Sequence, residues 1–310
     1  MGAMVSPFIS PTNDASRRDV QSQINRALAG GFTGMMRVEF ADKKAMSLFA
    51  VNGRAAQVYL RNHRLPSLNW ERELEARGKG QLTLRPIPAN GIRFEKILLE
   101  QLETVLPQPA STTRLQTMFD LAKQDHSATL FHIQWKDADG YVMVAGGNIP
   151  LVKPILRAND SAEEGLAALN QILAWNETDC MVTTHRGDIT SQAWLEAHLN
   201  ILFEWSCSHI LQQYAKLTGL VMVNLIVRSL KVNAVQNKRE IFANGANLTD
   251  STIFGTAAEM SRAYRKMKSV IESHIEPVIG SALLKNILEQ SRSSMRGVYV
   301  RISEATEYFE

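Results

Sequence analysis

The feature that most constrains the fold is internal self-similarity at a displacement of 95 residues. Val20, Ile24 and Ala27 fall on Leu115, Phe119 and Ala122 at this offset. Met36, Val38 and Phe40 fall on Phe131, Ile133 and Trp135, and Met46, Leu48 and Ala50 on Tyr141, Met143 and Ala145. Leu60 falls on Ile155 and Leu74 on Leu169. The match is one of apolar pattern at low identity, and it needs no gap across several elements. It predicts one small domain present twice.

Each copy reads in the same order. In the first, Asp14 or Ser16 is placed to cap an amphipathic helix with the stripe Val20, Ile24, Leu28, which Gly30 and Gly31 end. Met36–Phe40 alternates with period two, as a strand with one buried and one wet face does. Strands follow at 45–51 and 54–60, joined by Asn52 and Gly53, two residues that tolerate the positive φ of a tight hairpin. A short helix near 68–76, a strand at 81–85 and a helix at 93–106 close the unit. In the second copy a helix covers 114–123 and strands cover 129–135 and 141–145. Gly146, Gly147 and Asn148 take the place of Asn52 and Gly53. The strand 149–156 carries Pro150 and Pro154, which an edge or a break tolerates. Ser161 is placed to cap a helix running to Trp175, Cys180–Thr184 reads as a strand, and 191–217 as a long closing helix.

The fold class expected is therefore α+β: two tandem domains, each a small antiparallel sheet with helices, followed by an α-helical C-terminal region. The domains are expected at 1–107, 108–218 and 219–310, with the proline- and hydroxyl-rich stretch from Leu106 to Thr113 as linker. In the last region, helices are expected at 257–271 and 281–291, separated by Pro277 and Gly280.

Gly31-Phe32-Thr33-Gly34-Met35-Met36-Arg37-Val38 resembles the opening of the bacterial PATAN-type domain, and Phe49 to Val58 resembles its central hairpin. Glu164 to Leu169, followed by Leu173-Ala174-Trp175, is similar to its second helix. The likeness covers residues 15–107 closely and 113–210 loosely; the second copy lacks the Phe-Thr-Gly opening. The resemblance implies a regulatory protein that works by protein contacts, with no shared catalytic residues.

Motifs for chemistry are absent. There is no phosphate-binding GxxxxGK[ST], no HExxH, no paired-cysteine zinc pattern, no EF-hand loop and no nucleophile elbow. No cofactor and no metal are expected. His198 and His209 share a helix face but lie too far apart to hold one ion, and His126 and His132 share no face with a carboxylate cluster. Asp137, Asp139, Asp160, Glu163 and Glu164 read as solvated turn and helix-start charges. Trp194 and Trp205 read as one apolar helix face.

Cys180 and Cys207, far apart in sequence, fit a reducing compartment, and the apolar stretch 217–227 is too short to span a bilayer. A cytoplasmic protein without a membrane partner is expected. The net charge of +3 is unevenly spread. Residues 1–107 carry 15 Lys/Arg against 10 Asp/Glu, residues 108–218 carry 7 against 12, and the remainder 12 against 9. The first copy is thus positive and the second negative, a complementarity that favours docking of the copies and self-association. The leading expectation is a non-enzymatic signalling or adaptor protein acting through a protein partner in a bacterial regulatory system. The alternative is nucleic-acid binding by the basic first copy and a C-terminal basic helix. Arg61, Arg64, Arg262, Arg265 and Lys266 are the candidate contacts in either case.

Overall fold

The computed structural model describes residues 17–66, 68–100, 107–124, 128–136, 138–145, 151–158, 161–175, 180–187 and 189–309. The class is mixed α+β with antiparallel sheets.

The first copy runs α1 (Arg17–Ala29), β1 (Gly34–Phe40), β2 (Ala45–Val51), β3 (Arg54–Leu60), β4 (His63–Arg64), α2 (Trp70–Arg77), β5 (Gly80–Pro86) and α3 (Ala89–Glu100). After β6 (Gln108–Pro109), the second runs α4 (Thr112–Gln124), β7 (Ala128–Trp135), β8 (Ala138–Ala145), β9 (Leu151–Ala158), β10 (Ser161–Glu164), α5 (Gly165–Leu173), β11 (Met181–Arg186) and α6 (Gln192–Thr218). The first sheet has the order β4-β3-β2-β1-β5, and the second β10-β9-β8-β7-β11-β6. Apart from the added β6, the second order is the first repeated. The positions paired by the 95-residue displacement are core residues in both copies: Met36 and Phe131, Val38 and Ile133, Leu48 and Met143 are all buried.

In the first copy α1 ends in a Schellman-type cap. Gly31 sits at φ 79° and the Phe32 N–H donates to the Ala27 carbonyl at 3.1 Å. Val20 and Ile24 of α1 join Met36, Val38, Met46, Leu48 and Val58 from the sheet, and Trp70 and Leu74 from α2, in one core. The other sheet face is wet at Glu39 but dry at Met35, Phe49 and Tyr59. There the Tyr59 hydroxyl donates to Glu100 of α3 at 2.8 Å.

Four details depart from the sequence reading. Ser161 caps no helix: Ser161 to Glu164 pair antiparallel with Ala158 to Ile155 as β10, and α5 begins at Gly165, whose φ is 76°. This strand is the counterpart of β4. The strand β9 lies inside its sheet, yet the pairing to β10 stops at Ile155, so Pro154 stands beyond it. Pro277 lies inside a helix rather than between two, and the separation falls at Gly280, at φ 80°. Last, the C-terminal region is not wholly helical. After α7 (Leu220–Gln236) comes a hairpin, β12 (Ile241–Asn244) and β13 (Asn247–Asp250), before α8 (Ala257–Ile279), α9 (Ser281–Ser294) and α10 (Val298–Ala305). The two-residue turn is Gly245-Ala246 between the paired Asn244 and Asn247, and Gly245, at φ 58°, was the available turn signal.

By compactness the chain divides into two units. One comprises residues 1–109, 132–141 and 154–183, the other 110–131, 142–153 and 184–310. In the second unit α6 is the hub: β13, α7, α8, α9 and α10 all pack on it. No helix among the described residues is long and apolar enough to cross a membrane.

Candidate functional site

Asn52 and Gly53 join β2 to β3 with Val51 opposite Arg54 and φ values of 48° and 73°. The turn is seated on the end of α1: Gly53 N–H donates to the Phe32 carbonyl at 3.0 Å, and Asn52 N–H to Thr33 Oγ1 at 2.9 Å. Gly146, Gly147 and Asn148 lie outside the described residues, as do Asp137 and Asp160.

The basic candidates fall in different places. Arg61 takes the β3–β4 turn at φ 55°, and Arg64 pairs with Tyr59 in β4, both in the first unit. Arg262, Arg265 and Lys266 lie on α8 in the second. Arg262 and Arg265 line an open cavity of about 590 Å³ together with Thr256, Ser261, Thr306 and Glu307. Glu307 already holds Arg265, at 3.0 Å, which removes part of the basic character of that face. Lys266 is exposed.

A dense cluster of ionisable groups is one that the sequence reading missed. Arg85 at the end of β5 donates to Asp139 Oδ2 at 2.7 Å and to the Tyr141 hydroxyl at 2.9 Å, and its other terminal nitrogen lies 3.0 Å from Glu95 Oε1. Tyr141 donates in turn to Glu95 Oε1 at 2.7 Å. His132 Nε2 lies 3.1 Å from Asp139 Oδ1, and its ring stacks on Tyr141 at 4.9 Å. Asp139 is therefore no solvated turn charge, and His132 does meet a carboxylate. All five residues belong to the first unit, and they join β5 and α3 of copy one to β7 and β8 of copy two. Nothing in the local sequence signals it: Glu95 lies in a helix whose positions Gly91 to Ile97 are all buried, which only the structure shows.

Electrostatics fix what this cluster can do. Burial works against the Arg85 charge, but Glu95, then Tyr141 and Asp139, outweigh it and raise the guanidinium above its ordinary value. Burial, and after it Glu95, pushes the Tyr141 phenol well above its ordinary value, while Arg85 pulls the other way. Arg85 stays charged and Tyr141 stays a donor at neutral pH. The arrangement is a closed clip in which Arg85 satisfies three acceptors. Elsewhere, His198 is fully buried between Trp194 and Tyr299, at ring distances of 5.7 and 5.5 Å. No group of three or more metal-ligating side chains occurs among the described residues.

The surface feature with most potential is α7. Its buried face, Val223, Ile226, Val227, Leu230 and Ala234, packs within the second unit. Its solvent face carries Val221, Leu225, Val232 and Val235, which are 74, 50, 58 and 76% exposed. Arg228 takes the middle of this stripe and is exposed, with no ion-pair partner among the described residues. Sequence reading noticed the apolar stretch 217–227 only as a membrane question. The spacing of 4, 3, 4 and 3 residues from Val221 to Val235 was the signal for a second face.

Comparison with protein-family models, with curated proteins and with solved structures found no match to this chain.

Proposed function

We propose that the chain is a non-enzymatic adaptor that binds a protein partner through the solvent face of α7, in keeping with the regulatory role expected from its sequence. The observation that carries this reading is the exposed apolar stripe of that helix. A helix apolar on two opposite faces fits between two layers of protein, and the chain itself supplies one of them. Isolated exposed apolar residues are ordinary, whereas an ordered row on one rigid element marks an interaction surface. The clip around Arg85 supports a structural rather than catalytic use of the clustered charges, since neither Arg85 nor Tyr141 exchanges a proton near neutrality.

The test is cross-linking in an extract of the native host, comparing the natural chain with a Leu225→Asp/Val232→Asp double variant. Both positions are exposed, so the fold should survive, which circular dichroism checks. Cross-links to the principal partner should map to α7 and vanish in the variant. Undiminished cross-linking in the variant refutes this function for α7.

A further inference from the structure

On the adaptor reading above, we propose that the occupant of the α7 stripe is an amphipathic helix of the partner protein, carrying a carboxylate opposite Arg228. Three observations lead to a helix of this chemistry. The first is the shape of the stripe. Val221, Leu225, Arg228, Val232 and Val235 fall within an arc of about 80° on a helix of 3.6 residues per turn. Asn224 and Lys231 border it on one side, and Ser229 and Gln236 on the other. A seam this narrow, repeating every three and four residues, is the one that another helix follows. A lipid surface calls for a broad apolar face with bulky Trp, Phe or Leu groups to bury, and three of the four apolar residues here are valines.

The second observation is Arg228 itself. A charge at the centre of an apolar seam is tolerated when the opposing chain supplies its counter-charge, and it then fixes the register of pairing. Burying the guanidinium without one leaves an unpaired ion at the interface.

The third weighs against a second copy of this chain. In a two-fold antiparallel pair centred on Arg228, Val221 would meet Val235 and Arg228 would meet Arg228; a parallel pair in register also sets Arg228 on Arg228. Nor can a neighbouring residue help, because no acidic residue occurs between Glu204 and Glu240, while Lys216, Arg228, Lys231, Lys238 and Arg239 all do. The whole stretch selects a partner that is acidic where α7 is basic.

The experiment uses the full chain and labelled synthetic helical peptides of about three heptads, with leucine at the seam positions and either Glu or Lys at the central one. Binding is read by fluorescence anisotropy. The Glu peptide should bind the natural chain at least about tenfold more tightly than the Lys peptide. Arg228→Glu should reverse that preference, and Leu225→Asp should abolish binding of both. Equal binding of the two peptides overturns the proposal. Absence of peptide binding, with partner cross-links still dependent on Leu225 and Val232, overturns it and leaves the adaptor reading standing. Loss of that dependence removes both. The proposal is also overturned if the natural chain is a dimer that Leu225→Asp makes monomeric, or if it sediments with phosphatidylserine-containing vesicles in a Leu225-dependent manner.

Discussion

Replacing Gly53 with alanine separates two physical roles that a turn glycine can have. The first is conformational: at φ 73° an L residue is strained, by about 1–2 kcal/mol. The second is spatial. A Cβ at position 53 would run into the carbonyl oxygen of Leu28 and lie 3.1 Å from the Gly31 Cα. Both obstacles are backbone, so no side-chain rotation relieves them, and the hairpin must lift off the end of α1. Overpacking of this kind adds about 1–3 kcal/mol. Gly31 supplies the control, because its φ is 79° but a Cβ there meets nothing within 4 Å. Gly31→Ala should therefore cost only the conformational part. At about 2–4 °C per kcal/mol for a chain segment of this size, Gly53→Ala should lower the melting temperature by roughly 10 °C and Gly31→Ala by roughly 4 °C. Valine at position 53 should be worse than alanine, since its branched Cβ resists positive φ further. Differential scanning calorimetry on the three variants reads this directly. If Gly53→Ala and Gly31→Ala melt at the same temperature, the seating of the hairpin on α1 contributes nothing and the reasoning fails.

Two further predictions follow from buried ionisable groups. Arg85→Met leaves the Glu95 and Asp139 carboxylates without their guanidinium, and with Arg85 a quarter exposed the loss should be about 2–4 kcal/mol, measured by urea unfolding; a shift below 1 kcal/mol would mean that water replaces the arginine. Burial raises the Cys180 thiol from 9.0 to about 11 and the Cys207 thiol from 9.0 to about 12, so above pH 9 the unfolded chain sheds protons that the folded chain keeps. That stability is fully present below pH 9 and is lost as pH rises towards about 11 for Cys180 and about 12 for Cys207, by about 1.4 kcal/mol per pH unit for each thiol, and a urea midpoint that stays flat between pH 8.5 and 10.5 would contradict it.

The parts of the fold that were legible in the sequence are those set by local rules. Period-two alternation at Met36–Phe40, the glycines that end α1 and the Asn52-Gly53 pair each act within a few residues, and each is found at the expected place. The 95-residue displacement then carried the same topology into the second copy, whose strand order matches. What stayed hidden depends on partners distant in sequence. Asp139 sits beside a turn and looks solvated until Arg85, 54 positions earlier, is brought to it. Ser161 precedes an acidic, helix-like stretch, but antiparallel pairing to β9 outweighs its capping preference. The second apolar face of α7 was legible in its spacing, yet composition alone presents the same residues as a hydrophobic run.

The closing helix of the second copy bears on whether the last third of the chain can be removed. In the first copy the described part of α3 covers 12 residues, Ala89–Glu100; in the second α6 has 27. The later turns of α6 are buried, through Cys207, Ile210, Leu211 and Tyr214, and the elements packed on α6 all come after Thr218. Polar groups are committed there as well. The Asn200 amide donates to the Asp250 carbonyl and the Tyr264 hydroxyl, both at 3.1 Å, and Glu204 accepts from the Asp250 N–H at 2.9 Å. A chain cut after Thr218 would bare these four apolar side chains. At about 1.5–3 kcal/mol each, the loss is about 6–12 kcal/mol before the lost hydrogen bonds are considered. That is the scale of an entire domain's stability, about 5–15 kcal/mol. A chain of residues 17–218 should therefore aggregate or lack cooperative unfolding, whereas the intact protein should unfold cooperatively. Size-exclusion chromatography with thermal melting compares the two. A monomeric, cooperatively melting 17–218 fragment would show that α6 needs none of the helices packed on it, and that the surface bearing α7 is a separable appendage rather than part of the fold that presents it.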